Sequence, residues 1–324
     1  MATSEAIIEY IKKNGQASGK DLSIYLPNLT TRAIRKQLKN LLEKGILRKI
    51  GQPPKVYYLI NEVENTKQII EIDTTIKEII DERYLYISPT GDIVSGWDGF
   101  VLWCSRTKQD VVKTAHEYLK TLEKYDKFKK EGLIDGMNKM RNTFKDVFLD
   151  DVFYIDFYSI ERFGKTKLGQ MLLYAKQSQN TSLIRQLISE IKPQILHVID
   201  LFNIDGVLFV PPTVKREIQF MKELEQFLQL PVRTLEVTKI KTEIIVPQKT
   251  LSKLEDRVEN AKKTIIVNDT KSYKNILIID DAVGSGSTLN ETAKQIRKRN
   301  IVEGKIIGLS ITGSFNGFDV ISEV

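Results

Sequence analysis

The chain has 324 residues, 41% of them hydrophobic, with one cysteine, two histidines and a formal net charge of +7. That length suggests about two or three domains. The lone Cys104 excludes an internal disulfide or a Cys-rich zinc site, and with only His116 and His197 a protein-only transition-metal centre is not expected. No run of 18 or more apolar residues exists, so no membrane span is expected. The opening Met-Ala-Thr-Ser-Glu-Ala-Ile-Ile lacks the basic and apolar regions of a signal peptide. A cytoplasmic protein with no membrane partner is the expectation. The charge is uneven: residues 1–60 hold eleven Lys and Arg against four Asp and Glu, so the whole surplus sits there. A basic first domain of this kind points to nucleic acid.

In chain order, Ser4 is placed to cap a helix over Glu5–Asn14, with Ile7, Ile8 and Ile11 inward and Gly15 ending it. Ser18 opens a second, through Leu22 and Tyr25 to the stop at Pro27. Thr30 opens a third over Thr31–Glu43, with Ile34, Leu38, Leu41 and Leu42 inward and Gly45 after it. Ile46–Ile50 and Val56–Leu59 read as strands around the turn Gly51–Lys55. Three helices and a hairpin resemble a winged helix-turn-helix, which implies a third helix in the major groove of duplex DNA. Thr31, Arg32, Arg35, Lys36 and Lys39 lie off that helix's apolar face, and Arg48, Lys49 and Lys55 are placed to meet phosphates. A protein–protein module with a solvated basic face is the alternative.

Asn61–Lys67 is polar and reads as a linker, and Ile69–Ile80 as a helix. Tyr84–Ser88, Ile93–Val94 and Phe100–Trp103 read as short strands around Gly-rich turns, with Trp97 and Trp103 in a core. Lys108–Lys130 reads as a long amphipathic helix carrying His116 on its surface, its apolar face packed in a core or, in the minority reading, in a homodimer seam. Val152–Asp156 is a strand. From Lys165 the pattern alternates between helix and strand: helices over Leu168–Lys176 and Thr181–Phe202, the latter holding a structural His197, and a buried strand over Gly206–Val210. That strand runs into Pro211-Pro212-Thr213-Val214-Lys215-Arg216. A basic loop at a strand's carboxyl end suits a pyrophosphate, and a solvated helix start is the competing reading of Lys215 and Arg216.

Ile276–Ile279 is a strand buried on both faces, as in a parallel sheet. Asp280 and Asp281 follow at its carboxyl end, then Gly284-Ser285-Gly286-Ser287-Thr288 and a helix with Leu289, Ala293 and Ile296 on one face. Small residues ahead of a helix let backbone N–H groups reach an anion, and the helix dipole favours it. Adjacent carboxylates accept hydrogen bonds from vicinal hydroxyls. A phosphate beside a diol describes a ribose 5-phosphate. No Lys follows Gly286, which excludes a nucleotide P-loop, and Leu289 stands where a dinucleotide fingerprint needs its third Gly. Two acids directly after a buried strand are costly without a partner or ligand.

Residues 276–288 closely resemble the phosphoribosyl-pyrophosphate (PRPP) motif of type I phosphoribosyltransferases. Ala282 stands where that family has a larger aliphatic residue, and Gly284 where it has Thr, Ser or Ala. Gln248-Lys249-x-Leu251 with Arg257 and Asn260-Ala261 resembles a segment of ComF-type phosphoribosyltransferases, as do a helix ending in Lys176 and a Pro-rich loop after the first core strand. The similarity spans residues 165–312. Those proteins begin with a Cys-rich zinc ribbon, which this chain lacks, so their role in DNA uptake is not carried over. Phe315 and Phe318 follow where the family places base-contacting residues; packing of the tail is the other reading.

The resemblance implies an α/β fold whose C-terminal parallel sheet binds PRPP, with Mg²⁺ carried on the pyrophosphate. It implies domains over 1–61 (winged helix-turn-helix), 62–160 (an α+β middle module) and 161–324 (phosphoribosyltransferase-like). Asp280 and Asp281 would hold the ribose hydroxyls, Gly284, Ser285, Gly286, Ser287 and Thr288 the 5′-phosphate, and Lys215 with Arg216 the pyrophosphate. Lys176 falls on the helix position that the family reserves for a Lys. The segment of Gln248, Lys249 and Arg257 would close over the ligand. A DNA-binding domain joined to this fold resembles purine-operon repressors, which sense PRPP without turning it over. An active transferase to a nitrogenous acceptor is the alternative, and a ComF-like nucleic-acid-handling protein a third.

Overall fold

The computed structural model describes residues 2–61, 70–212, 214, 216–240, 243–244 and 246–314, without the side chain of Lys249. Lys215, Phe315, Phe318 and most of the expected linker lie outside the described residues. The chain divides into two compact units, Met1–Ala115 and His116–Val324. No described helix is long and apolar enough to cross a membrane.

The first unit opens with α1 (Thr3–Asn14), β1 (Ala17–Ser18), α2 (Gly19–Tyr25), α3 (Thr31–Glu43), β2 (Leu47–Gln52) and β3 (Lys55–Ile60). Local chemistry sets these boundaries. Ser18 Oγ accepts from the Asp21 N–H at 3.2 Å while Asp21 Oδ2 accepts from the Ser18 N–H at 2.8 Å, a reciprocal cap. The hydrogen bonds from Ser18, its backbone N–H first, hold the Asp21 carboxyl below its usual range. Thr30 Oγ1 accepts from the Ala33 N–H at 3.2 Å. Ser4 does not cap α1, which begins one residue earlier; Glu5 reaches back to accept from the Ala2 N–H at 2.8 Å instead. The three helices enclose Ile7, Ile11, Leu22, Ile34, Leu38 and Leu41, with Ala17 and Leu47 from the strands. The strands form an antiparallel sheet ordered β1-β3-β2. Replacing Ser18 or Thr30 by Ala should each cost about 1 kcal/mol, read as a lower urea midpoint with an unchanged slope.

The unit continues with α4 (Thr74–Arg83), β4 (Leu85–Ile87), β5 (Ile93–Ser95), α5 (Gly96–Arg106) and α6 (Val111–Asp126). Asp73 caps α4, its Oδ1 accepting from the Thr75 N–H at 2.7 Å. Phe100–Trp103, expected as a strand, is helical. Trp97, Phe100, Val101 and Cys104 bury one face at helical spacing. The rings of Tyr84, Trp97, Phe100 and Trp103 meet with centroids 5.1–6.3 Å apart. Gly96 makes the entry, taking φ +65° against Asp81, whose Oδ1 accepts from the Trp97 N–H at 2.7 Å. Packing has overridden the strand preference of aromatics. The expected helix to Lys130 stops at Asp126, and His116 is exposed on it.

The second unit carries, after the end of α6, β6 (Lys129–Lys130), β7 (Leu133–Asp135), α7 (Met137–Thr143), β8 (Asp151–Phe157), α8 (Lys167–Ser178), α9 (Thr181–Leu201), β9 (Gly206–Phe209), α10 (Phe220–Leu228), β10 (Arg233–Thr234), β11 (Val237–Lys239), α11 (Leu254–Thr264), β12 (Ile265–Val267), β13 (Ile276–Val283), α12 (Ser287–Lys298) and β14 (Ile306–Gly313). Seven strands form one sheet in the order β10-β9-β13-β14-β8-β7-β6. The first five run parallel and the last two pairings are antiparallel. The unit is therefore α/β with a mostly parallel central sheet. Strand β8, expected in a middle module, pairs with β14 from Asp151↔Ile307 to Phe157↔Gly313, so residues 129–157 belong to this sheet.

The core explains the helix positions. Leu289, Ala293 and Ile296 of α12 pack on Ile276, Ile278, Ile306 and Val152, alternate residues of three neighbouring strands. From β9 the chain crosses through α10 to β10 on one side; from β13 it crosses through α12 to β14 on the other. The order of the strands thus reverses between β9 and β13. In open α/β sheets a ligand crevice lies outside the carboxyl ends of the strands at such a reversal.

Candidate functional site

A cleft of about 400 Å³ opens at that reversal, the size that small-molecule sites take. Lys176, Arg216, Gln248, Arg257, Asp280, Asp281 and residues 284–288 all line it, so the expected site residues that the structure describes converge on one place. The acid pair is not beyond the strand, as expected, but within it. The eight-residue β14 continues the parallel ladder past Asp280↔Ser310 to Val283↔Gly313, and β13 runs on with it.

That register gives the two carboxylates different surroundings, because a strand sends consecutive side chains to opposite faces. Asp281 meets α8: its Oδ2 lies 2.6 Å from Lys176 Nζ, with both side chains mostly shielded. Lys176 sits in the last turn of α8, where the helix dipole favours a cation. Asp280 is half-buried on the other side. Its carboxyl is pushed up to about 7, first by burial and then by the neighbouring Asp281 charge. The Asp281 N–H, which donates to Asp280 Oδ1 at 2.8 Å, and the charges of Lys176 and Lys239 oppose that rise.

Lys239 was not anticipated. It ends β11, which pairs antiparallel with β12, the pairing Lys239↔Ile265 included. Gln295 of α12 holds β12, donating to the Ile265 carbonyl at 2.6 Å and accepting from the Val267 N–H at 3.1 Å. This brings Lys239 into the cleft, where burial lowers its ammonium below the usual lysine range and Asp280 partly restores it. The sequence signal is faint: Glu236-Val237-Thr238-Lys239 is a short polar stretch with two β-branched residues and no sustained alternation.

Behind the acid pair the chain turns through Gly286 at φ +76°, a left-handed conformation open to glycine, and enters α12 at Ser287. Ser287 and Thr288 are therefore first-turn residues rather than loop. Gly286, the N-cap residue, has no side chain with which to cap this end. Ser285 and Ser287 share a hydroxyl hydrogen bond at 2.7 Å, and the Ser287 N–H donates to Ser285 Oγ at 3.4 Å. Asn290 anchors the helix, accepting from the Phe148 N–H and donating to the Asp146 carbonyl, each at 2.9 Å.

The loop after β9 forms the facing wall. Gln179 accepts from the Ile218 N–H at 2.8 Å and Gln219 donates to the Arg216 carbonyl at 3.0 Å, which fixes the backbone around Arg216. Pro211, Pro212, Phe220 and Met221 make this wall largely apolar. Arg257, which also lines the cleft, is 6% exposed. Its Nε donates to the Leu251 carbonyl at 2.7 Å, and burial alone lowers its guanidinium from the usual value. Lys215 and the Lys249 side chain lie outside the described residues.

No three His, Cys, Asp or Glu side chains cluster to hold a metal among the described residues. A cation here would take most of its oxygens from a ligand, the usual habit of Mg²⁺ at phosphates.

In the first unit Thr31, Arg32, Arg35, Lys36 and Lys39 are exposed on α3, opposite its buried Ile34, Leu38 and Leu41. Lys49 and Lys55 are exposed on the hairpin. Lys39 has only a loose 3.7 Å pairing with Glu43. Arg48 departs from expectation. Its guanidinium donates to Asp92 and, at 2.6 Å, to Thr90 Oγ1, and the side chain is 18% exposed. The Ser88–Asp92 turn, braced by Ser88 Oγ donating to Asp92 Oδ2 at 2.7 Å, has taken it away from the surface.

No protein-family model matches the chain, and no curated protein matches it.

Proposed function

We propose that the chain is a PRPP-responsive transcriptional regulator, built from a winged helix-turn-helix that binds duplex DNA and a type I phosphoribosyltransferase-like domain, closest to the ComF type, that binds PRPP or a related ribose 5-phosphate. The observation that carries the ligand is the convergence, in one cleft at the strand-order reversal, of the Asp280 and Asp281 carboxylates and the glycine-led N-terminus of α12. Asp280 and Asp281 accept from the ribose hydroxyls, so a diol seated on both lies across the end of β13. The first-turn N–H groups of α12 and the hydroxyls of Ser285, Ser287 and Thr288 take the 5′-phosphate. Arg216 and Lys239 face the remaining phosphates, and Mg²⁺ rides on those phosphates. The DNA half rests on the row of exposed basic side chains on α3 and on the surplus of seven positive charges in residues 1–60.

An active transferase is the second reading. The two cations Arg216 and Lys239, beside the carboxylates, favour it, because positioned charge stabilises a departing pyrophosphate and an oxocarbenium-like transition state without a nucleophile. Substitution at Ala282 and Gly284 relative to the catalytic pattern tips the balance to the sensor. Calorimetric titration with PRPP and Mg²⁺ tests the ligand; no binding at millimolar PRPP would end both readings. Replacing Arg35, Lys36 and Lys39 together by Ala should weaken duplex binding and reduce the salt slope by about three. An unchanged slope would place the DNA contacts elsewhere. Point substitution is preferable to deleting residues 1–60, because deletion would strip Asp92 of Arg48.

A further inference from the structure

Asp280 belongs to a row that crosses the sheet. Its ladder partner on β14 is Ser310, and Ser310 in turn pairs with Tyr154 of β8. Paired residues of a parallel ladder send their side chains to the same face. Neighbouring strands lie about 4.8 Å apart, so the Ser310 hydroxyl stands beside the Asp280 carboxyl. On the other side the β9 register ends at Ile279↔Phe209, and the next residue, Val210, has no polar side chain. Ser310 is 0% exposed, and no described group hydrogen-bonds its Oγ. Asp280 Oδ1 accepts from the Asp281 N–H at 2.8 Å, while no described group donates to Oδ2.

The two groups answer each other once Asp280 ionises. A hydrogen bond to a carboxylate is roughly twice as strong as one between neutral groups. A turn of the serine between staggered rotamers makes it without moving the backbone. The cations near Asp280 do not replace it. Lys176 is engaged by Asp281 at 2.6 Å, and Lys239 is itself lowered by burial. Arg216 and Arg257 line the cleft more widely. The first charges along α12, Glu291 and Lys294, pair with each other at 3.9 Å. Tyr154, beyond Ser310, stays neutral near pH 7, because burial and then the Asp135 charge push its phenol up to about 12.

We propose that Ser310 is a positioning residue for Asp280: its hydroxyl donates to the Asp280 carboxylate and so readies that group to accept from a vicinal diol. The inference rests on the phosphoribosyl reading of the cleft and adds what lets a buried carboxyl ionise there. The proton leaves to solvent. The bonds from Asp281 and Ser310 then orient the carboxylate and leave its remaining lone pairs to the ligand. Thr312 supplies an internal control. It is also 0% exposed with no described partner at Oγ1, but it pairs with Ala282 and Asp156.

The test follows the affinity of the full chain for PRPP with Mg²⁺ by calorimetry from pH 5 to pH 9. Titration of the ligand itself is common to every variant. Wild type should bind more tightly as Asp280 ionises, around a midpoint of about 7. In Ser310→Ala that midpoint should rise by about one pH unit, which is about tenfold weaker binding at neutral pH, and the two proteins should converge at alkaline pH. Ser310→Cys, a weaker donor, should move the same way. Thr312→Val should move nothing, and neither should Ser310→Ala in an Asp280→Asn background. A second readout needs no ligand. Folded Asp280 titrates above its ordinary value of 3.8, so its cost to stability grows as pH rises through the window. Loss of the hydroxyl should deepen that cost, and the gap in urea midpoint between wild type and Ser310→Ala should widen from pH 6 to pH 9. Far-UV circular dichroism checks folding, and one folded Ser310 variant suffices. An unmoved midpoint, an equal shift in Thr312→Val, or a shift that persists with Asp280→Asn overturns the proposal. If PRPP binds at no pH, the phosphoribosyl reading falls, and the urea curves alone decide for or against Ser310.

Discussion

Replacing Asp280 and Asp281 together by Ala is expected to weaken PRPP binding by roughly 2–6 kcal/mol, from about 1–3 kcal/mol for each charge-assisted bond lost. No other described side chain lining the cleft carries a carboxylate that could take over the hydroxyls. The fold should survive. Asp280 is a strained group whose ionisation burial opposes, and the ladder of β13 on β9 and β14 is made by backbone. One compensating loss comes from Lys176, which is left without its 2.6 Å partner. A folded double variant with unchanged PRPP affinity would remove the acid pair from the site.

Replacing Asp280 alone by Asn should make the ligand-free protein more stable above neutral pH, on the order of 2 kcal/mol or more. The sign follows from the raised carboxyl. In the folded chain Asp280 holds its proton up to about 7, whereas the unfolded chain releases it near the ordinary aspartate value of 3.8. Between those values the folded state binds more protons, so stability falls as pH rises through the window and the penalty is complete above 7. The Asn variant carries no such titration. Its denaturation midpoint should exceed that of the wild type at pH 8 and converge with it toward pH 4. Ligand affinity should move oppositely, since hydroxyls bind the ionised form. A gain in stability paired with a loss of binding is the usual signature of a residue kept for function. Identical stability curves for the two proteins between pH 4 and 8 would show that Asp280 ionises without resistance.

The legible parts of this chain were those with short-range causes. Ser18 and Thr30 were readable as caps because the partner lies three residues away. The acid pair and the small-residue turn were readable because one local stretch carries strand, carboxylates and helix start. What escaped depended on distant pairing. Nothing within residues 151–157 announces β14 as a neighbour, so the strand was assigned to the wrong module. Phe100–Trp103 looked extended until Asp81 and Tyr84 supplied the helix with its start and its packing. Lys239 entered the cleft through Gln295, fifty-six positions away in sequence, and Arg48 left the basic face through Asp92, forty-four positions away. In each case a contact with an element distant in sequence decided the outcome.

The central claim is that PRPP in one unit alters DNA binding by the other, which requires a ligand that binds two global states unequally. The direct measurement is duplex affinity of the intact chain with and without saturating PRPP and Mg²⁺, at fixed salt. The account predicts a change of roughly 5–150-fold, with PRPP affinity changing by the same factor when DNA is saturating. Equal duplex affinities in both conditions, together with acceptor-dependent release of pyrophosphate, would contradict it and leave an enzyme carrying a tethering domain.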